Sequence, residues 1–121
     1  MKKALALILC TILVFSFAVS ASASTITAVP TLNAGEGENN TFFATVSLSK
    51  KDGYYSSVSC TLFGRYRFHE SSGEYTTSRS ASNTSAYISK PISATARVYP
   101  SRIEDTPLSF TVQNVQGYYR K

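Results

Sequence analysis

The stretch that decides the fold is Val58–His69, which reads VSCTLFGRYRFH. Apolar or small side chains occupy its even-numbered positions, while its odd-numbered positions are polar or basic apart from Phe63. Because successive side chains of a strand point to opposite faces of a sheet, this alternation predicts a β-strand with one face in a core and one face toward water. The outward face would carry three basic side chains, Arg65, Arg67 and His69.

The same two-residue period recurs along the chain. It is clear in Thr41–Ser49, Ile92–Tyr99 and Leu108–Gln113. Weaker strands are predicted over Thr25–Leu32, Glu74–Ser80 and Thr84–Ser89. No segment of the C-terminal 98 residues shows a sustained 3.6-residue period, so this region is predicted to be all-β.

Turn-forming residues separate these segments. Asn33–Asn40 and Pro100–Pro107 are predicted loops, and Lys51–Gly53 and His69–Gly73 are predicted hairpin turns. About seven short strands favour a small antiparallel β-sandwich, Ig-like or jelly-roll-like, with an open β-barrel as the alternative.

The N-terminus has the pattern of an export signal. Lys2 and Lys3 precede the apolar stretch Ala4–Val19, and Ala21-Ser22-Ala23 offers the small residues that signal peptidases accept. We therefore predict a signal peptide over residues 1–23, cleaved near Ala23, and a single β-sandwich domain over residues 24–121. The expected location is secreted, either extracellular or periplasmic, and the short Lys-Lys start is typical of a bacterial protein.

Composition narrows the chemistry further. The 121-residue chain has 12 Lys and Arg, 7 Asp and Glu, one His and two Cys, of which only Cys60 follows the predicted signal. One His and one thiol cannot assemble a metal site of the usual nitrogen and sulfur ligands, and no cofactor motif is present. Cys60 falls on the inward face, opposite in parity to His69, which predicts a buried thiol and not a nucleophile with a base. We predict that the protein is not an enzyme.

The predicted binding residues are Arg65, Arg67, His69, Lys50 and Lys51. If the turn at Asp52-Gly53 pairs Thr41–Ser49 with Ser56–His69, these side chains form one basic row. Such a row suits an anionic envelope polymer such as teichoic acid, a polysaccharide or lipid headgroups. The alternative interpretation is an ordinary solvated strand face. Export disfavours nucleic acid as the partner.

Two functions follow as expectations. The first is a small exported non-catalytic binding or structural protein that contacts an anionic envelope polymer or a protein partner. The alternative is a secreted bacteriocin-like antagonist of other bacteria. The format of an export signal and a short Ser/Thr/Tyr-rich β-domain is similar to that of lactococcin-like bacteriocins, although no motif is shared and Trp is absent. Edge strands of a small sandwich also predict a homo-oligomer formed by edge-strand pairing, without a membrane span in the mature form.

Overall fold

The computed structural model describes residues 25–121, so the predicted export signal lies outside the described residues. The strands in chain order are β1 (Thr25–Ala28), β2 (Thr31–Glu36), β3 (Phe42–Leu48), β4 (Tyr55–Arg67), β5 (Glu74–Thr84), β6 (Ile92–Val98) and β7 (Thr106–Arg120). A short 3-10 helix, Glu38–Asn40, lies between β2 and β3. Within residues 25–121, no helix has the length and apolarity needed to cross a membrane.

The seven strands form two separate antiparallel sheets. One has the order β1-β7-β4-β5 and the other the order β2-β3-β6. This architecture confirms the predicted small antiparallel β-sandwich, and the sheets do not close into a barrel.

The core lies between the inward faces of β3, β4 and β6. Their alternating burial follows the two-residue period of the sequence, and the inward positions Cys60 and Tyr66 are 1% and 0% exposed. The ring of Phe42 packs against both Tyr66 and Phe110, with centroids 5.4 and 5.2 Å apart. Burial of a side chain such as Leu62 contributes about 1.5–3 kcal/mol.

Backbone pairing corrects the predicted hairpin at Asp52-Gly53. β3 pairs with β2 and β6, whereas β4 pairs with β5 and β7, so the turn connects two sheets. The amide of Tyr54 donates to the carbonyl of Lys51 at 3.1 Å, and Gly53 takes a φ of 86° that favours glycine. The predicted hairpin turn at His69–Gly73 is confirmed, because it joins the paired strands β4 and β5.

Several predicted boundaries differ from the observed ones. β7 runs from Thr106 to Arg120, so the predicted loop Pro100–Pro107 ends two residues earlier and the predicted strand Leu108–Gln113 is longer at both ends.

Thr25–Leu32 is two strands in different sheets, because Pro30 has no N–H to continue the ladder and the chain crosses over at Val29-Pro30. The predicted loop Asn33–Asn40 begins as strand, since β2 continues to Glu36.

The predicted strand Thr84–Ser89 is also wrong. β5 continues through Thr84, and Ser85–Lys90 is a loop in which Ala86 and Ile88 are exposed. Ser85 and Ser89 donate backbone hydrogen bonds of 2.9 Å to Ser56 and Tyr54, which holds this loop beside the start of β4.

Candidate binding surface

The predicted basic residues of β4 face outward, but a carboxylate on the neighbouring strand lies beside them. Arg65 and Arg67 are exposed, as the alternation predicts. Glu74 lies on the neighbouring strand β5, and its Oε1 is 2.8 Å from Nη2 of Arg65. The antiparallel hairpin therefore places a carboxylate in an ion pair with Arg65, one of the two predicted binding arginines.

His69 does not continue the row. β4 ends at Arg67, and His69 lies in the following turn, where its backbone N–H donates to Oδ1 of Asp105 at 2.9 Å. Nearby, Glu70 pairs with Arg102 at 3.3 Å, so a second acidic side chain neutralises a basic one at this end of the sandwich.

Lys50 and Lys51 lie at the opposite end of the molecule. They precede Tyr55, the first residue of β4, whereas Arg67 is its last. At about 3.3 Å per residue, the two ends of this 13-residue strand are about 40 Å apart. The structure therefore does not bring the five predicted binding residues together.

The two ends of the sandwich differ in charge. We call one of them the basic end, where Thr25, the first described residue, and the end of β7 meet the loops before β4 and β6. It carries Lys50, Lys51, Lys90, Arg120 and Lys121. These five basic residues face one acid, Asp52, which gives a formal charge of +4.

The opposite, acidic end holds the remaining six of the seven acidic residues of the chain. They are Glu36, Glu38, Glu70, Glu74, Glu104 and Asp105. Four arginines lie at or near this end, Arg65, Arg67, Arg97 and Arg102. The formal charge there is −2, so the predicted basic row belongs to the more acidic half of the molecule.

Tyrosines line the basic end. Nζ of Lys51 lies 5.5 Å from the ring centroid of Tyr54 and 6.0 Å from that of Tyr119, and Nζ of Lys121 lies 5.2 Å from the Tyr54 ring. The Tyr54 and Tyr119 rings meet edge to face at 6.3 Å. Cations over aromatic faces are attracted by about 0.5–1 kcal/mol each at exposed sites, which keeps these ammonium groups at the surface beside the rings.

Tyr119 also ties this end together. Its hydroxyl donates to the carbonyl of Ser49 at 2.8 Å, linking β7 to the chain just after β3. Lys50 makes only a long contact with Asp52, 4.0 Å between Nζ and Oδ1, and both side chains are exposed. The one local acid therefore neutralises little of the basic charge.

The outward face of the four-stranded sheet adjoins the basic end. We call it the hydroxyl face, because Ser, Thr and Gln side chains occupy most of its positions. Arg65 and Arg67 lie on the same face, near its acidic end. Register places the following on this face: Thr25, Thr27, Ser57, Ser59, Thr61, Thr76, Ser78, Ser80, Ser82, Thr84, Thr106, Ser109, Thr111, Gln113 and Gln116. Cross-strand hydrogen bonds order part of the array, with Ser57 to Thr84 at 2.6 Å and Thr61 to Ser80 at 2.9 Å between hydroxyl oxygens.

A small cavity marks the junction of the hydroxyl face and the basic end. It has a volume of about 90 Å³ and is lined by Tyr55, Ser57, Thr84, Tyr118 and Arg120. Two aromatic rings, hydroxyl groups and a guanidinium group thus converge on one notch. Rings of this kind can stack on sugars, and a guanidinium group donates to carboxylate, sulfate or phosphate oxygens.

A buried carboxylate dominates the acidic end. Asp105 is 1% exposed and accepts hydrogen bonds from the hydroxyl of Tyr75 at 2.6 Å and from the backbone N–H groups of His69 and Arg102 at 2.9 and 3.3 Å. The Tyr75 hydrogen bond is the main cause that lowers the pKa of Asp105, with smaller contributions from the two backbone donors, against the opposing effect of burial. Burial chiefly, and then the bond to Asp105, raises the pKa of Tyr75.

These contacts assign Asp105 a structural role. Its three donors come from the β4–β5 turn, from β5 and from the loop before β7. The carboxylate therefore links these three segments through hydrogen bonds. Asn40 adds to the cluster, because its side-chain amide donates to the carbonyls of Ile103 and Asp105 at 2.8 and 3.2 Å. Among the described residues, no buried side-chain nitrogen or oxygen lacks a hydrogen-bond partner.

The buried core residues Cys60 and Tyr66 are further titratable groups with a shifted pKa. Cys60 is a free, buried thiol whose pKa is raised by burial. Burial also raises the pKa of Tyr66 to about 12, and its hydroxyl donates to the carbonyl of Asn40 at 2.8 Å. Residues 25–121 contain no group of three or more His, Cys, Asp or Glu side chains placed to hold a metal ion.

Sequence reasoning missed that Arg120 and Lys121 lie at the basic end, beside Tyr55 and Tyr54. The signal was present, because basic residues adjoin a Tyr-Tyr pair both in Lys50–Tyr55 and in Tyr118–Lys121. Only the antiparallel pairing of β4 with β7, which sets Tyr55 opposite Arg120, shows that the two segments meet.

The chain was compared with protein-family models, with curated proteins and with solved structures, and none matched.

Proposed function

We propose that the protein is an exported, non-catalytic binding protein that attaches to an anionic polysaccharide of the cell envelope through its basic end. The observation that carries this proposal is the formal charge of +4 at that end, concentrated around the rings of Tyr54 and Tyr119, while six of the seven acids lie elsewhere. A surface with one sign of charge attracts a polyanion and orients the protein during its approach.

The hydroxyl face extends the proposed contact. A polymer that meets Lys51, Arg120 and Lys121 can continue along this face, where Ser and Thr hydroxyls supply donors and acceptors and Glu74 is the one acidic side chain. Tyr55 and Tyr118 border the notch at which the two surfaces join and offer rings for a sugar.

The test compares two polymers that differ in charge. The protein is titrated with dextran sulfate and, separately, with neutral dextran of the same length, at several NaCl concentrations. We expect binding to dextran sulfate that weakens steadily with salt, because ions screen exposed charges, and much weaker binding to neutral dextran. Equal affinity for both polymers, or none for dextran sulfate at low salt, would contradict the proposal.

The bacteriocin-like alternative stays a prediction. It is tested separately by adding the purified protein to growing cultures of several bacterial species, with the growth rate as the readout.

A further inference from the structure

β7 has an unpaired edge along most of its length. On one side it pairs with β4 from Tyr55 to Arg67, but on the other side β1 covers only Gly117–Arg120. Within the part of the chain that the structure describes, no strand lies against residues 106–116 on that side. Unpaired backbone N–H and C=O groups of this kind are a template for another strand.

The centre of this edge is regular. Relative to β4, β7 contains one additional residue between Gln113 and Gln116 and another, Leu108, between Pro107 and Ser109. Asn114, in the first of these bulges, has a φ of 54°. Bulges interrupt strand pairing, so the uninterrupted part of the free edge is Ser109–Gln113, which is five residues long.

We propose that this edge pairs with the same edge of a second copy of the chain, antiparallel and across a twofold axis at Thr111. Thr111 is the midpoint both of Ser109–Gln113 and of the whole free edge, residues 106–116. A twofold axis there sets Thr111 opposite its own copy, Ser109 opposite Gln113, and Phe110 opposite Val112.

This register is self-complementary. Ser109, Thr111 and Gln113 face outward, whereas Phe110 and Val112 face inward, so polar residues meet polar ones and apolar residues meet apolar ones. Phe110 is 38% exposed although it packs on Phe42, and pairing with a second Val112 would cover part of its ring. A one-residue shift would place polar residues opposite apolar ones, so this register is favoured over its neighbours.

Charge favours the same arrangement. Residues 106–119 contain no charged side chain, so two copies of this edge meet without repulsion. The other long edge of this sheet, β5, carries Glu74 and Arg79, and charged residues on an edge discourage pairing. Antiparallel pairing also sets the basic end of each copy beside the acidic end of the other.

The dimer would have consequences for the binding surface. The axis is perpendicular to the sheet, so the two hydroxyl faces become one continuous face with a basic end at each extremity. Because a twofold contact uses the edge in both copies, assembly stops at the dimer and does not produce a fibre.

The first test is a disulfide across the axis. Directly opposite residues of an antiparallel pair have Cα atoms about 4.5–5.5 Å apart, which lies within the range that a disulfide spans. In a Cys60→Ala background, Thr111→Cys is compared with Ser78→Cys, which is also outward and exposed but lies on the β5 edge. With oxidised glutathione, we expect the first variant to form a covalent dimer and the second to remain monomeric on non-reducing gels.

The second test measures mass in solution. Light scattering after size exclusion should show a dimer that persists in 1 M NaCl, and Thr111→Lys should convert it to a monomer with an unchanged circular dichroism spectrum, because two lysines would then face each other. Ser78→Lys, the matched control, should remain dimeric. A wild-type monomer at all concentrations, a dimer that dissociates in salt as an end-to-end charge contact would, cross-linking at position 78, or a dimer that survives Thr111→Lys would each overturn the proposal.

Discussion

The hydroxyl of Tyr75 donates a 2.6 Å hydrogen bond to Oδ2 of Asp105, a carboxylate that is 1% exposed. The same hydroxyl accepts a 2.8 Å hydrogen bond from the backbone N–H of Ser101. Tyr75 lies on β5 and the other two residues lie in the loop before β7. The side chain of Tyr75 therefore holds this loop against the edge of the four-stranded sheet, at the acidic end of the molecule.

This contact predicts a pH dependence of stability. Because the pKa of Asp105 is lower in the folded protein than its unfolded value of about 3.9, the carboxylate contributes stability above that value and loses it as pH falls toward the folded pKa. Urea unfolding between pH 7 and pH 3 should show that Asp105→Asn is less stable than wild type at pH 7. The difference between the two proteins should shrink below about pH 4.

The control for this prediction is Glu104→Gln. Glu104 is the exposed neighbour of Asp105 and makes no ion pair among the described residues. Its variant should follow the wild-type pH profile. A constant difference between wild type and Asp105→Asn across the whole pH range would refute the assigned role.

The close packing around Gly64 predicts that the core has no room for a larger side chain at this position. A Cβ atom at this position would lie 2.6 Å from Cγ2 of Val98 and 2.9 Å from Cδ2 of Phe42, across the gap between the sheets. Gly64→Ala should therefore lower the free energy of unfolding by about 1–3 kcal/mol through overpacking. Chemical denaturation measures the effect.

Gly35→Ala supplies the comparison. Gly35 also lies in a strand, but a Cβ there would meet only Phe43, at an ordinary distance of 3.6 Å. This variant should be neutral or slightly stabilising. Equal destabilisation by both substitutions would mean that close sheet packing at Gly64 is not the cause.

The burial of Cys60 predicts that its thiol reacts only when the surrounding strands unfold locally. Its side chain is 1% exposed, and burial raises its pKa, so little reactive thiolate is present at the surface. We expect Ellman's reagent to label native Cys60 at least about a hundredfold more slowly than the exposed thiol of Ser78→Cys. That ratio corresponds to an opening free energy of about 3 kcal/mol or more. Similar labelling rates for both thiols would show that Cys60 on β4 is accessible to solvent in the native protein and would contradict this prediction.

The fold could largely be predicted from the sequence, because β3, β4 and β6 each bury one face and so alternate strictly. β5 is polar on both faces apart from Tyr75 and Ala81, which pack against the core. Without a regular alternation, the sequence did not indicate that this strand continues to Thr84. Pro30 could be read as a break, but not as the crossing from one sheet to the other. Local patterns specify strands and do not specify their partners.

The candidate site was harder to predict for the same reason. The outward direction of Arg65 and Arg67 follows from alternation alone. The position of Glu74 beside Arg65, and of Arg120 beside Tyr55, depends on pairing between segments distant in sequence. The separation of charge between the two ends emerges only when the loops are assigned to their ends of the sandwich.

The most direct test of the proposed function compares three double variants that each remove two positive charges. Lys51→Gln with Lys121→Gln alters the basic end, Arg65→Gln with Arg67→Gln alters the row predicted from the sequence, and Arg79→Gln with Arg97→Gln is the matched control. Affinity for dextran sulfate at low salt is the readout.

A Lys or Arg beside an anionic surface contributes about 1 kcal/mol, so loss of two contacting charges should weaken binding about thirtyfold. We predict this loss for the Lys51 and Lys121 pair and a change of only a few-fold for the other two variants. Equal losses in all three would show that net charge alone governs binding, and a larger loss in the Arg65 and Arg67 pair would contradict the assignment of binding to the basic end.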